Sequence, residues 1–290
     1  MASVPVSVAP AGATLGEGPV WVAREAALWF VDIKRQQIHR FDPAAGALKS
    51  WSAPRQVGWV LPAADGGLVA GLQGGIHRFD PATGAFSLLS EVEADLPGNR
   101  LNDAATDPEG RIWFGSMDDG EAAATGRFYS YANGRVTDAG LPPVSITNGP
   151  AFTPDGRLIY CTDTLGKIIH VGEVGDDGRV RNARAFVTFG ADDGHPDGPT
   201  VDAEGCLWTG MFGGWVARRY APSGELLERV RFPVANITKL AFGGSDLRTV
   251  YATTARLHLT PEALETQTEA GNLFAFRADV PGVAVTAATL

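Results

Sequence analysis

The chain contains little cysteine: Cys161 and Cys206 are the two among 290 residues. Their spacing matches neither a thiolate zinc site nor a redox motif, so these two classes are excluded. Each cysteine lies in a short apolar segment, and we therefore expect two buried free thiols. Free thiols are typical of a reducing compartment, which predicts a cytoplasmic protein.

Long apolar runs and an excess of basic charge are also missing. No stretch of 18 apolar residues occurs, and the first 19 residues lack the basic start and apolar centre of a signal peptide. The net charge is −9, from 24 Lys and Arg against 33 Asp and Glu. This balance argues against nucleic acid or an anionic membrane as a partner. We expect a monomer or a weak dimer.

Helical periodicity is absent apart from one short candidate helix near residues 261–266. No HExxH motif, nucleophile elbow, P-loop or dinucleotide fingerprint is present. Glycine and proline are instead abundant, at 36 and 19 residues, and turn dipeptides recur about every dozen positions. The pattern is that of an all-β protein.

A repeated hairpin is the main positive feature of the sequence. Turn tips separated by 44, 46 and 49 residues are each followed by a short apolar strand. The tips are Glu25, Gly66, Gly110, Gly156 and Gly205, with a weaker sixth at Gly244. Outer-strand signals such as residues 38–43 and 76–81 complete four strands per unit. Six units of about 48 residues predict one domain over 1–290, a six-bladed β-propeller. Seven blades is the structural alternative.

One position of the repeat, eight residues before each tip, carries mostly polar side chains. These residues are Glu17, Gly58, Asn102, Asn148 and Asp197. Because the first strand of a propeller blade lies nearest the axis, they should line one mouth of the channel. Turn preference alone explains the Asn and Asp, but glutamate is not a turn former.

Convergence of two carboxylates and one amide oxygen predicts a metal site formed by Glu17, Asn148 and Asp197. Oxygen ligands suit Ca²⁺, Mg²⁺ or Mn²⁺, while Zn²⁺ and Fe²⁺ are tolerated. Three protein ligands leave positions open for water and substrate, which is typical of a catalytic site.

Arginine and histidine side chains flank these acids. Arg100 lies two residues before Asn102, so in a strand it points to the same side and could bind substrate. The alternative for Arg100 is a surface ion pair with Asp103. His195 lies two residues before Asp197 and either reaches the site or is a loop histidine.

Four ordered motifs resemble the regucalcin/gluconolactonase family of sugar lactonases. They are TLGEGPVW, NRLNDAATDPEGRIWFGSM, ITNGPAFTPDGRLIYCTDT and PDGPTVDAEGCLWTGMFGG. The resemblance implies a six-bladed propeller with one divalent metal held by Glu17, Asn148 and Asp197. It also implies that Asp197 is the general base and that Arg100 and Asn102 bind the sugar.

Some members of that family bind substrate through a glutamate after a Gly-Thr/Ser-Met motif. Glu121 is the nearest candidate here, although its loop differs in spacing. His195 stands where the family commonly has a tyrosine. Overall likeness is greatest to bacterial pentonolactone hydrolases.

The resulting hypothesis is a metal-dependent hydrolase that opens an aldono-1,4- or 1,5-lactone to the aldonic acid in sugar catabolism. Two alternatives have different chemistry. One is a non-catalytic propeller that binds a divalent cation, and the other is a propeller esterase acting on other esters.

Overall fold

The computed structural model describes residues 3–290, which form an all-β protein. The first twelve strands are β1 (Val6–Ala9), β2 (Gly16–Val22), β3 (Ala27–Asp32), β4 (Gln37–Asp42), β5 (Ala47–Ser52), β6 (Val57–Pro62), β7 (Leu68–Leu72), β8 (Gly75–Asp80), β9 (Ala85–Glu91), β10 (Asn99–Thr106), β11 (Ile112–Asp118) and β12 (Phe128–Ala132). The others are β13 (Arg135–Asp138), β14 (Thr147–Phe152), β15 (Leu158–Asp163), β16 (Ile168–Val174), β17 (Val180–Thr188), β18 (His195–Val201), β19 (Leu207–Phe212), β20 (Val216–Tyr220), β21 (Leu226–Arg231), β22 (Ile237–Gly243), β23 (Thr249–Thr254) and β24 (Leu273–Arg277).

Antiparallel pairing groups these strands into four-strand modules. Modules 1 to 4 are separate sheets formed by β2–β5, β6–β9, β10–β13 and β14–β17. The remaining sheet has eight strands in the order β1-β24-β23-β22-β18-β19-β20-β21. Its two halves meet at a single parallel pair, Gly198 with Lys239. We call β18–β21 module 5, and β22–β24 with β1 module 6.

The modules are arranged in a closed ring. The first strands of successive modules, β2, β6, β10, β14, β18 and β22, contact one another in that order, and β22 contacts β2. Strand β1 pairs with β24, so the first strand of the chain completes the last module. Pairing the two ends of the chain in one sheet covers an edge that would otherwise be open. The architecture is consistent with a β-propeller.

Most of the predicted turns are present at the expected residues. Gly66, Gly110, Gly156 and Gly205 have φ values of 93°, 82°, 69° and 77°, a conformation that favours glycine. The first turn differs, because a 3₁₀ turn over Ala23–Glu25 places the left-handed residue at Ala26, one position after the predicted tip. The short helix α1 (Pro261–Thr266) is confirmed, and the Thr260 hydroxyl caps it by accepting from the Ala263 N–H.

Cysteine burial is confirmed as well. Cys161 and Cys206 are buried free thiols. Burial raises the pKa of the Cys161 thiol, so it stays protonated at neutral pH. Within residues 3–290, no helix is long and apolar enough to cross a membrane.

Three modules share a buried tryptophan that is tied to an acidic residue of the preceding turn. The indole N–H groups of Trp29, Trp113 and Trp208 donate to Glu25 at 3.1 Å, Asp107 at 2.8 Å and Asp202 at 2.9 Å. Each tryptophan is almost fully buried between modules. The bond therefore satisfies a polar group in the core and fixes the turn at the same time.

Asp202 accepts the most hydrogen bonds of these three acids. Its substitution tests how much the bond between a buried tryptophan and a turn acid stabilises the fold. Its carboxylate accepts from the Glu204 and Cys206 N–H groups, the Trp208 indole and the Arg219 guanidinium. Asp202→Ala leaves several buried donors unpaired and should lower the free energy of unfolding by about 3–5 kcal/mol, measured by urea denaturation.

The matched control is Asp155→Ala, at an exposed turn residue of module 4. We expect a change below about 1 kcal/mol there. Equal losses in the two variants would contradict a special role for the buried acid.

Candidate channel site

A β-bulge interrupts the first strand of every module at the same place. One register shift occurs in each module, in the order of modules 1 to 6. The shifts lie at Glu17/Val20, Val57/Trp59, Leu101/Ala104, Asn148/Ala151, Pro196/Pro199 and Ile237/Leu240. Bulges re-aim side chains and are frequent beside active sites. The repeated bulge therefore explains why the fixed position of the sequence repeat turns its side chain toward the channel.

A cavity of about 580 Å³ opens at one end of the channel. The six residues predicted for the site all line it: Glu17, Arg100, Asn102, Glu121, Asn148 and Asp197. They come from modules 1, 3, 4 and 5. Module 2 has Gly58 at the equivalent position, where an added Cβ would lie 2.4 Å from the Leu101 carbonyl oxygen. Module 2 therefore has no space for a ligand side chain there.

Glu17 and Asp197 are buried carboxylates with few partners. Their exposed fractions are 3% and 5%. Each accepts one hydrogen bond from the next residue, from the Gly18 N–H at 3.0 Å and the Gly198 N–H at 2.9 Å. Of the Lys, Arg and His side chains in residues 3–290, none forms an ion pair with either carboxylate.

Burial raises the pKa of both acids. The pKa of Glu17 rises from 4.5 to about 8, because burial disfavours its charge and the carboxylate of Asp103 adds repulsion. Burial and the charges of Glu17 and Asp103 raise the pKa of Asp197 well above its usual value. A cation between the two carboxylates would remove this cost.

Asn148 presents an amide oxygen to the same cavity. Its Nδ2 donates to Thr164 Oγ1 at 2.9 Å, and its Oδ1 accepts from Asn102 Nδ2 at 3.2 Å. In the described part of the chain, no three His, Cys, Asp or Glu side chains are placed to hold a metal. A cation would therefore bind Glu17 and Asp197 and take its third protein oxygen from Asn148. Such a donor set fits a hard divalent ion.

Arg100 lies beside these ligands and is 3% exposed. Its Nη1 donates to Asn102 Oδ1 at 2.6 Å, and its Nε donates to Asp119 Oδ1 at 2.8 Å. Asp119 also accepts from Lys34 Nζ at 2.5 Å and Gln56 Nε2 at 2.8 Å. Partial burial opposes ionisation of Asp119, but these three donors outweigh it and lower its pKa to about 2. The guanidinium is thus fixed by an acid that the sequence analysis did not identify.

The alternative of an ion pair between Arg100 and Asp103 is wrong. Asp103 Oδ1 instead accepts from Lys239 Nζ, and Asp103 Oδ2 accepts from the Gly149 N–H at 2.8 Å. Lys239 was also missed, although a lone lysine in the apolar run of β22 was a visible signal.

Glu121, His195 and His258 lie at the mouth of the cavity. Glu121 has a φ of 56°, and its Oε1 is 3.9 Å from His258 Nε2. His195 begins β18, and its Nδ1 lies 3.3 Å from the Thr164 carbonyl oxygen. The structure therefore brings both Glu121 and His195 to the cavity, and a contact of either with substrate stays a prediction.

The fold and site together define an all-β ring with an acidic, oxygen-lined channel. The chain belongs to the SMP-30/Gluconolactonase/LRE-like family, whose profile matches residues 15–256. It is 32% identical over 271 residues to a 6-deoxy-6-sulfogluconolactonase of Pseudomonas putida, covering 93% of each chain. It is 36% identical over 275 residues to an L-arabinolactonase of Azospirillum brasilense, covering 93% of this chain and 91% of the relative.

The same likeness is seen in three dimensions. A crystal structure of regucalcin from Agrobacterium tumefaciens, described as a calcium-binding protein, superposes with a TM-score of 0.94 at 28% identity. The match covers 100% of this chain and 98% of that one. The family resemblance inferred from the four sequence motifs is confirmed.

The raised pKa of Glu17 predicts a pH dependence of stability in protein stripped of metal by a chelator. Folded Glu17 keeps its proton to about pH 8, whereas the unfolded chain releases it near pH 4.5. The folded state thus binds more protons in this window, and the free energy of unfolding should fall as pH rises through it.

Urea denaturation at several pH values between about 5 and 8 measures this slope. Glu17→Gln should flatten it, because the variant has no carboxyl group at that position to titrate. Parallel curves for the two proteins would contradict the assignment.

Proposed function

We propose that this protein is a metal-dependent lactonase that opens a sugar lactone to its aldonic acid. One observation carries the proposal: Glu17 and Asp197, two buried carboxylates with no ion-pair partner in the described residues 3–290, share a cavity with the buried, fixed Arg100. The names of the relatives from P. putida and A. brasilense support a sugar lactone as the substrate. The calcium-binding description of the similar regucalcin structure supports a divalent cation.

We further propose that the ring is a single six-bladed β-propeller. The eight-stranded sheet then counts as two blades, because one residue pair alone joins its halves. The cycle of six inner strands supports this count. Glu17, Asn102, Asn148 and Asp197 line one cavity at an end of this ring.

Glu17, Asn148 and Asp197 would hold the divalent cation, with Ca²⁺, Zn²⁺, Mn²⁺, Mg²⁺ and Fe²⁺ as candidates. When bound, the cation supplies Lewis acidity to the lactone carbonyl and stabilises negative charge on its oxygen. Asp197 has one oxygen bonded to the Gly198 N–H, so the other is available to accept a proton.

The chemical step proposed for Asp197 is general-base catalysis. The carboxylate takes a proton from the attacking water as the water oxygen bonds to the carbonyl carbon. The bond between that carbon and the ring oxygen then breaks. The ring oxygen leaves as a hydroxyl group after taking up the proton held by Asp197, which restores the carboxylate, and the product is the open-chain acid.

Arg100 and Asn102 would orient the ring by binding its hydroxyl groups. Arg100 is held through Nε by Asp119 and through Nη1 by Asn102, so its geometry is set before substrate arrives. Preorganised donors reduce the entropy lost when a substrate is positioned. Glu121 at the mouth is a further substrate contact in this proposal.

A non-catalytic cation binder is the second candidate, favoured by the calcium-binding description of the similar regucalcin structure. A purely structural ion needs no adjoining cavity and no buried arginine. The 580 Å³ space beside the ligands, large enough for a sugar lactone, favours the enzyme.

Acid release from a panel of five- and six-carbon aldonolactones tests the function directly. We expect turnover that chelator abolishes and that added divalent metal restores. Asp197→Asn keeps the side-chain shape but removes the base, so kcat should fall by about 100-fold or more. A folded protein that binds metal and hydrolyses no lactone in the panel would favour the cation binder.

Asp119→Asn tests the anchoring of Arg100. The variant removes the charge that holds the guanidinium, so KM for the best lactone should rise about tenfold with a smaller effect on kcat. Asp138→Asn is a matched control, because Asp138 pairs with Arg127 at an exposed site of the same module. An unchanged KM in Asp119→Asn would remove Arg100 from substrate binding.

A further inference from the structure

Lys239 is the one buried lysine among residues 3–290, and it crosses the channel. It lies on β22 of module 6, while its Nζ bonds Asp103 Oδ1 and the Ala104 carbonyl oxygen, the latter at 3.1 Å, on β10 of module 3. Modules 3 and 6 are opposite each other in the cycle of six inner strands. The side chain therefore spans the ring instead of joining neighbours.

Asp103 connects Lys239 to β14, a strand that carries a proposed ligand. It is fully buried and directly follows Asn102. Its Oδ2 accepts from the N–H of Gly149, the residue after Asn148, at 2.8 Å. Asp103 thus ties β10 to β14 next to one of the proposed metal ligands.

The aliphatic part of Lys239 contacts β18, the strand that carries Asp197. Gly198, the residue after Asp197, forms the parallel pair with Lys239. A Cβ added to Gly198 would lie 2.6 Å from Lys239 Cγ, so the lysine stem rests directly on this backbone. One side chain therefore contacts or bridges to the strands of Asn102, Asn148 and Asp197.

The ion pair between Lys239 and Asp103 also sets the charge of the channel. Three buried acids lie near the axis: Glu17, Asp103 and Asp197. Lys239 neutralises Asp103, and Arg100 is paired with Asp119. When Glu17 and Asp197 are both ionised, two negative charges remain, which equals the charge of one divalent cation.

We propose that Lys239, together with Asp103, is a positioning residue that fixes the ligand strands and sets the channel charge for a divalent cation. The inference rests on the proposed cation site. The effect of a purely structural ion pair would be on stability, because breaking it leaves one buried charge uncompensated. In the proposed role, Lys239 and Asp103 control cation affinity. The affinity should fall when the channel becomes less negative.

Calorimetric titration of metal-stripped, full-length protein with Ca²⁺ and with Mn²⁺ measures this affinity. Asp103→Asn leaves Lys239 uncompensated and one net negative charge, so Kd should rise about tenfold or more. The double variant Asp103→Asn/Lys239→Met restores two net negative charges. Its Kd should return to within about threefold of the wild-type value, even where its melting temperature stays lower.

Asp107→Asn is the matched control. Asp107 is a buried acid four residues along the same strand region, paired with Arg111 and Trp113 away from the cavity. This variant should lower the melting temperature and leave Kd unchanged. An Asp103→Asn protein with the Kd of the control, or a double variant no tighter than Asp103→Asn, would overturn the inference. A wild-type protein that binds neither ion would instead overturn the proposed metal-dependent function.

Discussion

Burial of two carboxylates that have no ion-pair partner within residues 3–290 is the constraint on which this structure depends. Taking Glu17 and Asp197 out of water costs several kcal/mol per charge unless something compensates them. The cavity between the two acids stays open, because the ring holds Glu17 and Asp197 on separate strands. Stabilising contacts lie elsewhere, in the packing between modules and in the buried bonds from Trp113 and Trp208 to turn acids. The scaffold thus tolerates a site that is unfavourable by itself.

The repeated bulge connects this scaffold to its chemistry. An unbroken strand alternates its side chains between two faces, both of them packed in this ring. The extra residue at the bulge breaks that alternation and lets one side chain per module turn into the channel. The polar residues at that position in modules 1, 4 and 5 are the proposed ligands Glu17, Asn148 and Asp197. Gly58 holds this position in module 2, which therefore supplies no donor side chain there.

Local geometry explains which parts of the molecule could be predicted from sequence. The distance of eight residues from Glu17, Asn148 or Asp197 to a turn tip lies within one hairpin, and hairpins repeat faithfully. The first turn was misplaced by one residue because it lacks a glycine and closes through a 3₁₀ turn ending at Ala26.

Contacts between distant segments were not predictable in this way. Asp119 reaches Arg100 across 19 residues, and Lys239 reaches Asp103 across 136. No local periodicity encodes either pair. Proximity in sequence suggested Arg100 with Asp103 instead, but Asp103 pairs with Lys239 and Arg100 pairs with Asp119. Both missed residues support other charged groups: Asp119 holds the arginine beside the ligands, and Lys239 neutralises the acid beneath them. The polar network around the channel therefore extends beyond its three proposed ligands to Asp119, Asp103 and Lys239.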